Sequence, residues 1–540
     1  MKKNSKYLIY LILLLTAIGC SEDFLELENI NQKDASTYYR NADEAEEALN
    51  TAYMPMAFSQ CFGRDIQYMN YALSDRILHE RTSDENLFFN SSTDWVKAVY
   101  HGLYIGIFRA NLVLENVPGI NMDDNQKRRI LAEARFLRGL YHFYAATYYE
   151  IPPLMKETPK DPKIGATNAV SKQQIYQFAA ENFRNAIPDL YSKEEVRDAD
   201  QLGRATDVAA KAFLGKTYLY MQEWDSAVAY LGELYSSYPD SLVMPPIGST
   251  DSLDWVFAYL CNFAKEDLNG GTTTYKAEYN KESIFEVNFS SVHSAGDFAQ
   301  FLPGRRSTGS LNTWYFTPYV IKGFANVAME DKIFPTTYEK PVNHPAGLTR
   351  DPRLSATFMF VGEPLDYKGR ILGNLQQTDL NAVLESSAAL RKGYYPFHAD
   401  YSYPSAPYND PNNIRLMRFA DVYLMYAEAL IRAEGLSDRN AFSSNSTALE
   451  AINKVRRRAG LADLTQLSGN DIIHERDVEL VGEGYRYWDL VRWYESGWLN
   501  LNDVRTYKPT FQPKHVCVPI PDREINLSKG NLKQNPKWTN

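Results

Sequence analysis

Apolar residues recur at three- and four-residue spacing through residues 41–240 and again through 414–540, and lose that period in between. An α-helix turns once per 3.6 residues, so the pattern predicts two helical blocks separated by an irregular one. The first helix is predicted to begin near Asn41, in DEAEEALNTAYMPM. Residues 74–94 are polar and loop-like, yet carry Phe88-Phe89. Trp95, Val99, Leu103 and Ile107 then fall at four-residue intervals and predict a helix to Val117. Residues 128–149, RRILAEARFLRGLYHFYAATYY, are apolar on most sides, as in a buried helix, and Ile151-Pro152-Pro153 closes them. A further helix is predicted over 171–186.

In the last block, RFADVYLMYAEALIRAEG is closed by Gly435 and paired with ALEAINKVRRRAG. The stretch IIHERDVELVGEGYRYWDLVRW reads as one helix. Its apolar stripe is Val478, Val481, Tyr485 and Trp488, with Glu475, Glu479 and Glu483 sharing another face. Lys454 and Arg456 to Arg458 read as a solvated basic face.

Residues 208–241, VAAKAFLGKTYLYMQEWDSAVAYLGELYSSYPDS, carry the spacing of a tetratricopeptide repeat. Leu214-Gly215 and Tyr218 supply its first part, with Ala227 and Pro239 following at twelve-residue steps. Lys211 stands where the repeat has Trp, and Leu231 where it has Phe. Small Gly215 and Ala227 allow two helices to approach closely, and Pro239 stops the second. One such hairpin cannot bury its own apolar face, so the other helices are expected to stack on it. The fold class is therefore mainly α: a tetratricopeptide-like scaffold with a loop-rich insert over 241–413. That insert is expected to hold a few short strands, with apolar runs at 284–289 and 355–361.

The N-terminus changes the picture again. Lys2, Lys3 and Lys6 precede an apolar run over 7–18, of signal-peptide length and too short to span a bilayer. It ends Thr16-Ala17-Ile18-Gly19-Cys20, which resembles a bacterial lipobox. Residues 1–19 are thus predicted to be a leader and Cys20 the lipidated first residue of the mature chain, tethered by 20–40. Ser21-Glu22-Asp23 resembles an acidic export signal for the outer face of the cell. The helical blocks at 41–240 and 414–540 and the insert complete the organisation.

The chain has 540 residues, 44% hydrophobic and 23% charged, an ordinary globular composition that argues against a disordered chain. A net charge of -10 argues against a nucleic-acid partner. The four cysteines are scattered and form no CxxC pair, so no zinc site or disulfide framework is indicated. Gly215-Lys216-Thr217 lacks the glycine a phosphate loop needs six residues before its lysine, and sits inside a repeat helix. The histidines show no HExxH pair. Glu475, Glu479 and Glu483 lie near Arg476 and Arg486, which points to ion pairs in place of acid–base work. No cofactor or metal is predicted.

A binding signal remains. A sugar ring has an apolar face and a polar rim, so its site needs an aromatic platform beside fork-like donors or carboxylates. Arg305, Asn312, Trp314 and Tyr315 combine these in the insert, which also holds Trp255 and Tyr259. Asp75, Asn86 and Phe88 do so earlier.

The chain resembles the SusD/RagB family along nearly its whole length. The resemblance rests on the lipobox with CSEDFLE, EARFLRGLYHFYAATYYEIPPL and Asp351-Pro352-Arg353. It continues through RFADVYLMYAEAL, INKVRRRAGL, ERDVELVGEGYRYWDLVRW and PIPDREINLSKGNLKQNPKW. It implies a non-enzymatic, lipid-anchored protein on the surface of the outer membrane. Such a protein would capture oligosaccharide and pass it to a SusC-like TonB-dependent transporter. Peptide capture by the same fold, and a surface glycoside hydrolase, are the alternative readings.

Overall fold

The computed structural model describes residues 38–75, 86–160, 165–197, 201–270, 273–289, 351–360, 365–367, 370–372, 388–390, 392 and 412–539. Cys20, Arg305, Asn312, Trp314 and Tyr315 lie outside them.

The first helical block is α1 (Ala42–Ala57), α2 (Asp65–Leu73), α3 (Asp94–Asn116), α4 (Asp124–Tyr149), α5 (Lys172–Ala186), α6 (Asp207–Met221) and α7 (Trp224–Ser237). Side chains before several of these accept from the first free backbone N–H groups: Asn41 from Glu44, Asp123 from Gln126, Ser171 from Gln174 and Thr206 from Ala209. Neighbours in sequence are neighbours in space. Helix α3 packs on α1 and α4, α5 on α4 and α6, and α7 on α6. This is the stacking a repeat scaffold requires.

The α6–α7 hairpin matches the repeat expected over 208–241. A Cβ on Gly215 would lie 2.7 Å from Leu231 Cδ2, so the glycine sets the closeness of the two helices. Lys211, at the position where the repeat has Trp, bonds Asp207 at 3.3 Å and Glu233 at 2.8 Å across the hairpin. Gly215→Val is expected to cost about 1–3 kcal/mol through overpacking. Urea denaturation checks this, and an unchanged midpoint would show that Leu231 yields freely.

The insert opens with α8 (Ser252–Leu260), which the loss of periodicity hid: SLDWVFAYL is nine residues long and apolar almost throughout. Next come β1 (Leu268–Asn269), β2 (Thr274–Tyr275), β3 (Ser283–Val287), α9 (Pro352–Thr357), β4 (Phe358–Phe360), β5 (Leu365–Tyr367), β6 (Arg370–Leu372) and β7 (Ala388–Leu390). Short strands were expected at two of these places. The chain re-enters the scaffold through β8 (Ile414–Arg418), antiparallel to β3 with Val287 opposite Ile414 and Ser283 opposite Arg418.

The last block is α10 (Phe419–Ala433), β9 (Phe442–Ser443), α11 (Ser446–Arg458), β10 (Leu467–Ser468), α12 (Gly469–Leu480), α13 (Arg486–Glu495), α14 (Leu501–Tyr507) and α15 (Asp522–Leu527). Helix α10 packs on α7 and joins the two blocks. One main core runs through both, from Ala45 on α1 to Leu532 near the C-terminus.

Two expectations are corrected here. The single helix over the ERDVELVGEGYRYWDL stretch is two, because Gly482 (φ +77°) and Gly484 (φ +85°) are left-handed and turn the chain between α12 and α13. Val478, Val481, Tyr485 and Trp488 are all buried, but on both sides of that turn. The basic run of α11 is not one solvated face. Arg458 is fully buried on Glu282 and Glu479, Arg456 reaches Glu475, and only Arg457 pairs with exposed carboxylates, Glu450 and Asp463.

Candidate functional site

The described edges of the insert are tied to the C-terminal helices by buried charge. Arg353, at the start of α9, donates to Asp351 (2.7 Å), Glu475 (2.6 Å) and Glu479 (3.0 Å). Arg418, at the end of β8, donates to Glu479 (2.6 Å), Glu282 (2.8 Å) and both oxygens of Glu483 (2.8 Å each). Arg458 joins Glu282 and Glu479, Arg456 takes Glu475, and Lys392 donates to Glu483 at 2.8 Å. The five cations Arg353, Lys392, Arg418, Arg456 and Arg458 thus face the five carboxylates Asp351, Glu282, Glu475, Glu479 and Glu483. The Tyr259 ring lies beneath Arg458 at 4.8 Å, and its hydroxyl donates to the Glu479 carbonyl at 2.5 Å. Tyr259 is therefore a buried wall of this cluster, not a ligand platform.

The electrostatics follow from the geometry. Burial alone would raise the Glu479 carboxyl, but Arg458, Arg418 and Arg353 outweigh it and hold the group well below the usual carboxylate range. Burial would likewise raise Glu475, and Arg353 and Arg456 lower it. These carboxylates are fixed as anions. The expectation of ion pairs holds, but through Arg353, Arg418 and Arg458. The nearby Arg476 instead takes Asp421 and Asp489, and Arg486 takes Asp75 and Asp477.

The described residues that flank the strongest sequence candidates are held in place. Phe289 precedes the stretch with Arg305, Asn312, Trp314 and Tyr315, and its N–H donates to the Asn413 side chain at 3.2 Å. Asp351, which follows that stretch, sits in the ion cluster, as does Lys392.

A second candidate lies between the first block and the tail. Leu87 is buried in the left-handed region at φ +61°, a backbone state that costs an ordinary residue about 1 kcal/mol or more. Its neighbour Phe88 is 70% exposed, whereas Phe89 is buried again. Phe89 packs against Trp95 (ring centroids 5.1 Å apart), Trp538 (5.4 Å) and His515 (5.9 Å). Burial and the Lys514 charge lower the His515 imidazole to about 4, so it is neutral at pH 7 and packs as an aromatic ring. Phe88 is thus presented to solvent from a rigid aromatic base, with exposed Asn86 beside it.

The remaining candidates are divided. Asp75 is buried and accepts from Arg486 Nε at 3.0 Å, so its carboxylate anchors α13. Trp255 is half-buried on α8, where its indole N–H donates to the Ser249 carbonyl at 3.4 Å. Helix α8 packs on α9, whereas Phe88 stands on the C-terminal tail, so Trp255 and Phe88 have separate supports. Sequence reasoning missed the role of Arg353 and Glu282. The available signal was charge placed inside otherwise apolar segments, such as Glu286 and Arg418 in β3 and β8.

With the geometry established, comparison places the chain. Residues 281–538 match the SusD family, and residues 23–219 match a family described as starch-binding and associating with the outer membrane. The chain belongs to the SusD/RagB family. It is similar to SusD-like protein P25 of Formosa agariphila, at 24% identity over 580 residues covering 97% of each chain. It is also similar to starch-binding protein SusD of Bacteroides thetaiotaomicron, at 22% identity, covering 82% of this chain and 78% of that one. Among solved structures, a laminarin-binding SusD-like protein shares the fold with a TM-score of 0.67 at 22% identity, covering 92% of this chain and 100% of that one.

Proposed function

We propose that this protein is a surface glycan-binding lipoprotein that captures oligosaccharide and delivers it to a SusC-like TonB-dependent transporter. The observation that carries the reading is a rigid SusD-type scaffold that presents an aromatic ring, Phe88, to solvent. Relatives named for binding starch and laminarin support a carbohydrate ligand. A sugar-binding surface needs an apolar platform held in place, and Phe88 on its base of Phe89, Trp95 and Trp538 supplies one. Arg305, Asn312, Trp314 and Tyr315 are proposed to complete the surface.

The same reading is non-catalytic. A glycosidase needs one carboxyl held protonated and a second carboxylate about 5 to 9.5 Å away. The grouped carboxylates Glu475 and Glu479 are in the opposite state, buried among guanidinium groups and lowered. The test is a glycan array with a peptide library as control. Binding to a restricted set of glycans supports the reading, whereas binding to peptides alone would replace it with peptide capture.

Anchoring is proposed through Cys20. Acyl chains contribute about 0.8 kcal/mol per buried CH2, so a multiply acylated cysteine holds the protein at the membrane permanently. Cys20→Ala is expected to give soluble or unprocessed protein. Mass spectrometry of the native N-terminus checks this, and an unmodified Cys20 in the wild type would contradict it.

A further inference from the structure

Beneath the Gly482–Gly484 turn lies a cavity of about 90 Å³, walled by α2, α4, α6, β8, α13 and the turn itself. Lys216, the lysine set aside as a phosphate-loop residue, lines it and is 2% exposed. Its ammonium donates to Asp421 Oδ2 at 3.2 Å and sits 4.1 Å from the Tyr485 ring centroid. An ammonium has three donors, so one bond to an acceptor leaves capacity unused. Tyr144 and Tyr220 line the same cavity, and neither hydroxyl has a hydrogen-bond partner among the described residues. Hydroxyls that face such a space without a protein partner are satisfied by water.

Charge and size select the occupant. Lys216, Arg476 and Arg492 are matched by Asp421, Asp489 and Glu428, so an added ion would unbalance a neutral group. Lys392 at the same wall is matched by Glu483, and Arg415 by Glu286. An apolar cavity of about 150 Å³ stays dry and takes benzene. This one is smaller, and its mainly apolar walls carry the Lys216 ammonium and two phenol hydroxyls, within the two to four polar partners a buried water needs.

We propose that the cavity is a hydration site in which a cluster of on the order of three waters bridges Lys216 to the Tyr144 and Tyr220 hydroxyls. The waters complete the hydrogen bonding where the first helical block meets the glycine turn. A two- or three-carbon polyol shares the hydroxyl chemistry, so crystals for the test are grown and frozen without glycerol or glycol. A high-resolution structure is expected to show separate ordered peaks about 2.7–3.2 Å from Lys216 Nζ and both phenol oxygens. Xenon pressurisation is expected to leave the site unoccupied by xenon. Xenon density there, one continuous polyol-shaped feature, or no peaks would overturn the proposal.

The double variant Tyr144→Phe/Tyr220→Phe gives an independent sign. If the hydroxyls hold water, the variant loses bonds and its urea midpoint falls. If they are dry and unsatisfied, removing them leaves the midpoint unchanged or raises it, and the proposal fails.

Discussion

Glu479→Gln is expected to remove about 3–5 kcal/mol of stability, because it leaves buried guanidinium groups without their counter-charge. Glu479 is fully buried, and its side chain takes bonds from Arg353, Arg418 and Arg458. Neutralising one carboxylate removes the attraction but not the burial, so the desolvation cost of three cations stays in the fold. The exposed Arg457 is the control. It bonds Glu450 and Asp463 on the surface, where an ion pair contributes about 0–1 kcal/mol. Arg457→Gln should therefore barely move the urea midpoint.

The same buried carboxylates set a pH dependence. The folded Glu479 and Glu475 carboxyls lie below their unfolded values, and although burial alone would raise Asp421, the Lys216 and Arg476 charges outweigh it and leave it at about 2. Groups lowered on folding contribute stability that is present above their unfolded values, about pH 4, and lost as the pH falls towards the folded ones. Stability should fall steeply below about pH 4. A Glu479→Gln midpoint within about 0.5 kcal/mol of wild type would contradict the role assigned to the cluster.

The second large effect concerns the ligand. Phe88→Ala is expected to weaken glycan binding by roughly tenfold to a hundredfold, from the about 1.5–3 kcal/mol that burying such a ring is worth. Because Phe88 is 70% exposed, the thermal melt should not change. Phe89→Ala tests the support: Phe89 is buried among Trp95, His515 and Trp538, so this variant should lose about 3–5 kcal/mol of stability as well. A Phe88→Ala protein with wild-type affinity would remove this ring from the surface and leave Trp314 and Tyr315 as the platform to test. Binding replaces hydrogen bonds to water, so each polar contact is worth only about 0.5–1.5 kcal/mol, and affinities in the micromolar to millimolar range are expected.

The scaffold was legible because its helices are long and periodic. Residues 128–149 and the 208–241 hairpin carry enough turns for the apolar stripe to repeat, and their caps mark where they begin. Helix α8 was not legible, since nine nearly all-apolar residues show no period. The break between α12 and α13 was written in Gly482 and Gly484, but an apolar stripe that continued across them concealed it. Long-range charge pairing was the hardest to read. Arg353 and Glu479 are 126 residues apart, and no local spacing announces that they meet. The exposure of Phe88 is equally invisible, because it depends on the left-handed turn at Leu87 and on rings contributed by Trp538 and His515.

The role proposed for this scaffold is to capture glycan without cleaving it. One sample tests both halves. The full chain is titrated by calorimetry with a glycan selected on the array, and the recovered glycan is assayed for new reducing ends. Saturable binding weakened by Phe88→Ala is expected, with the glycan recovered intact. Cleavage that survives repurification, or binding of peptides with no binding of any glycan, would contradict it.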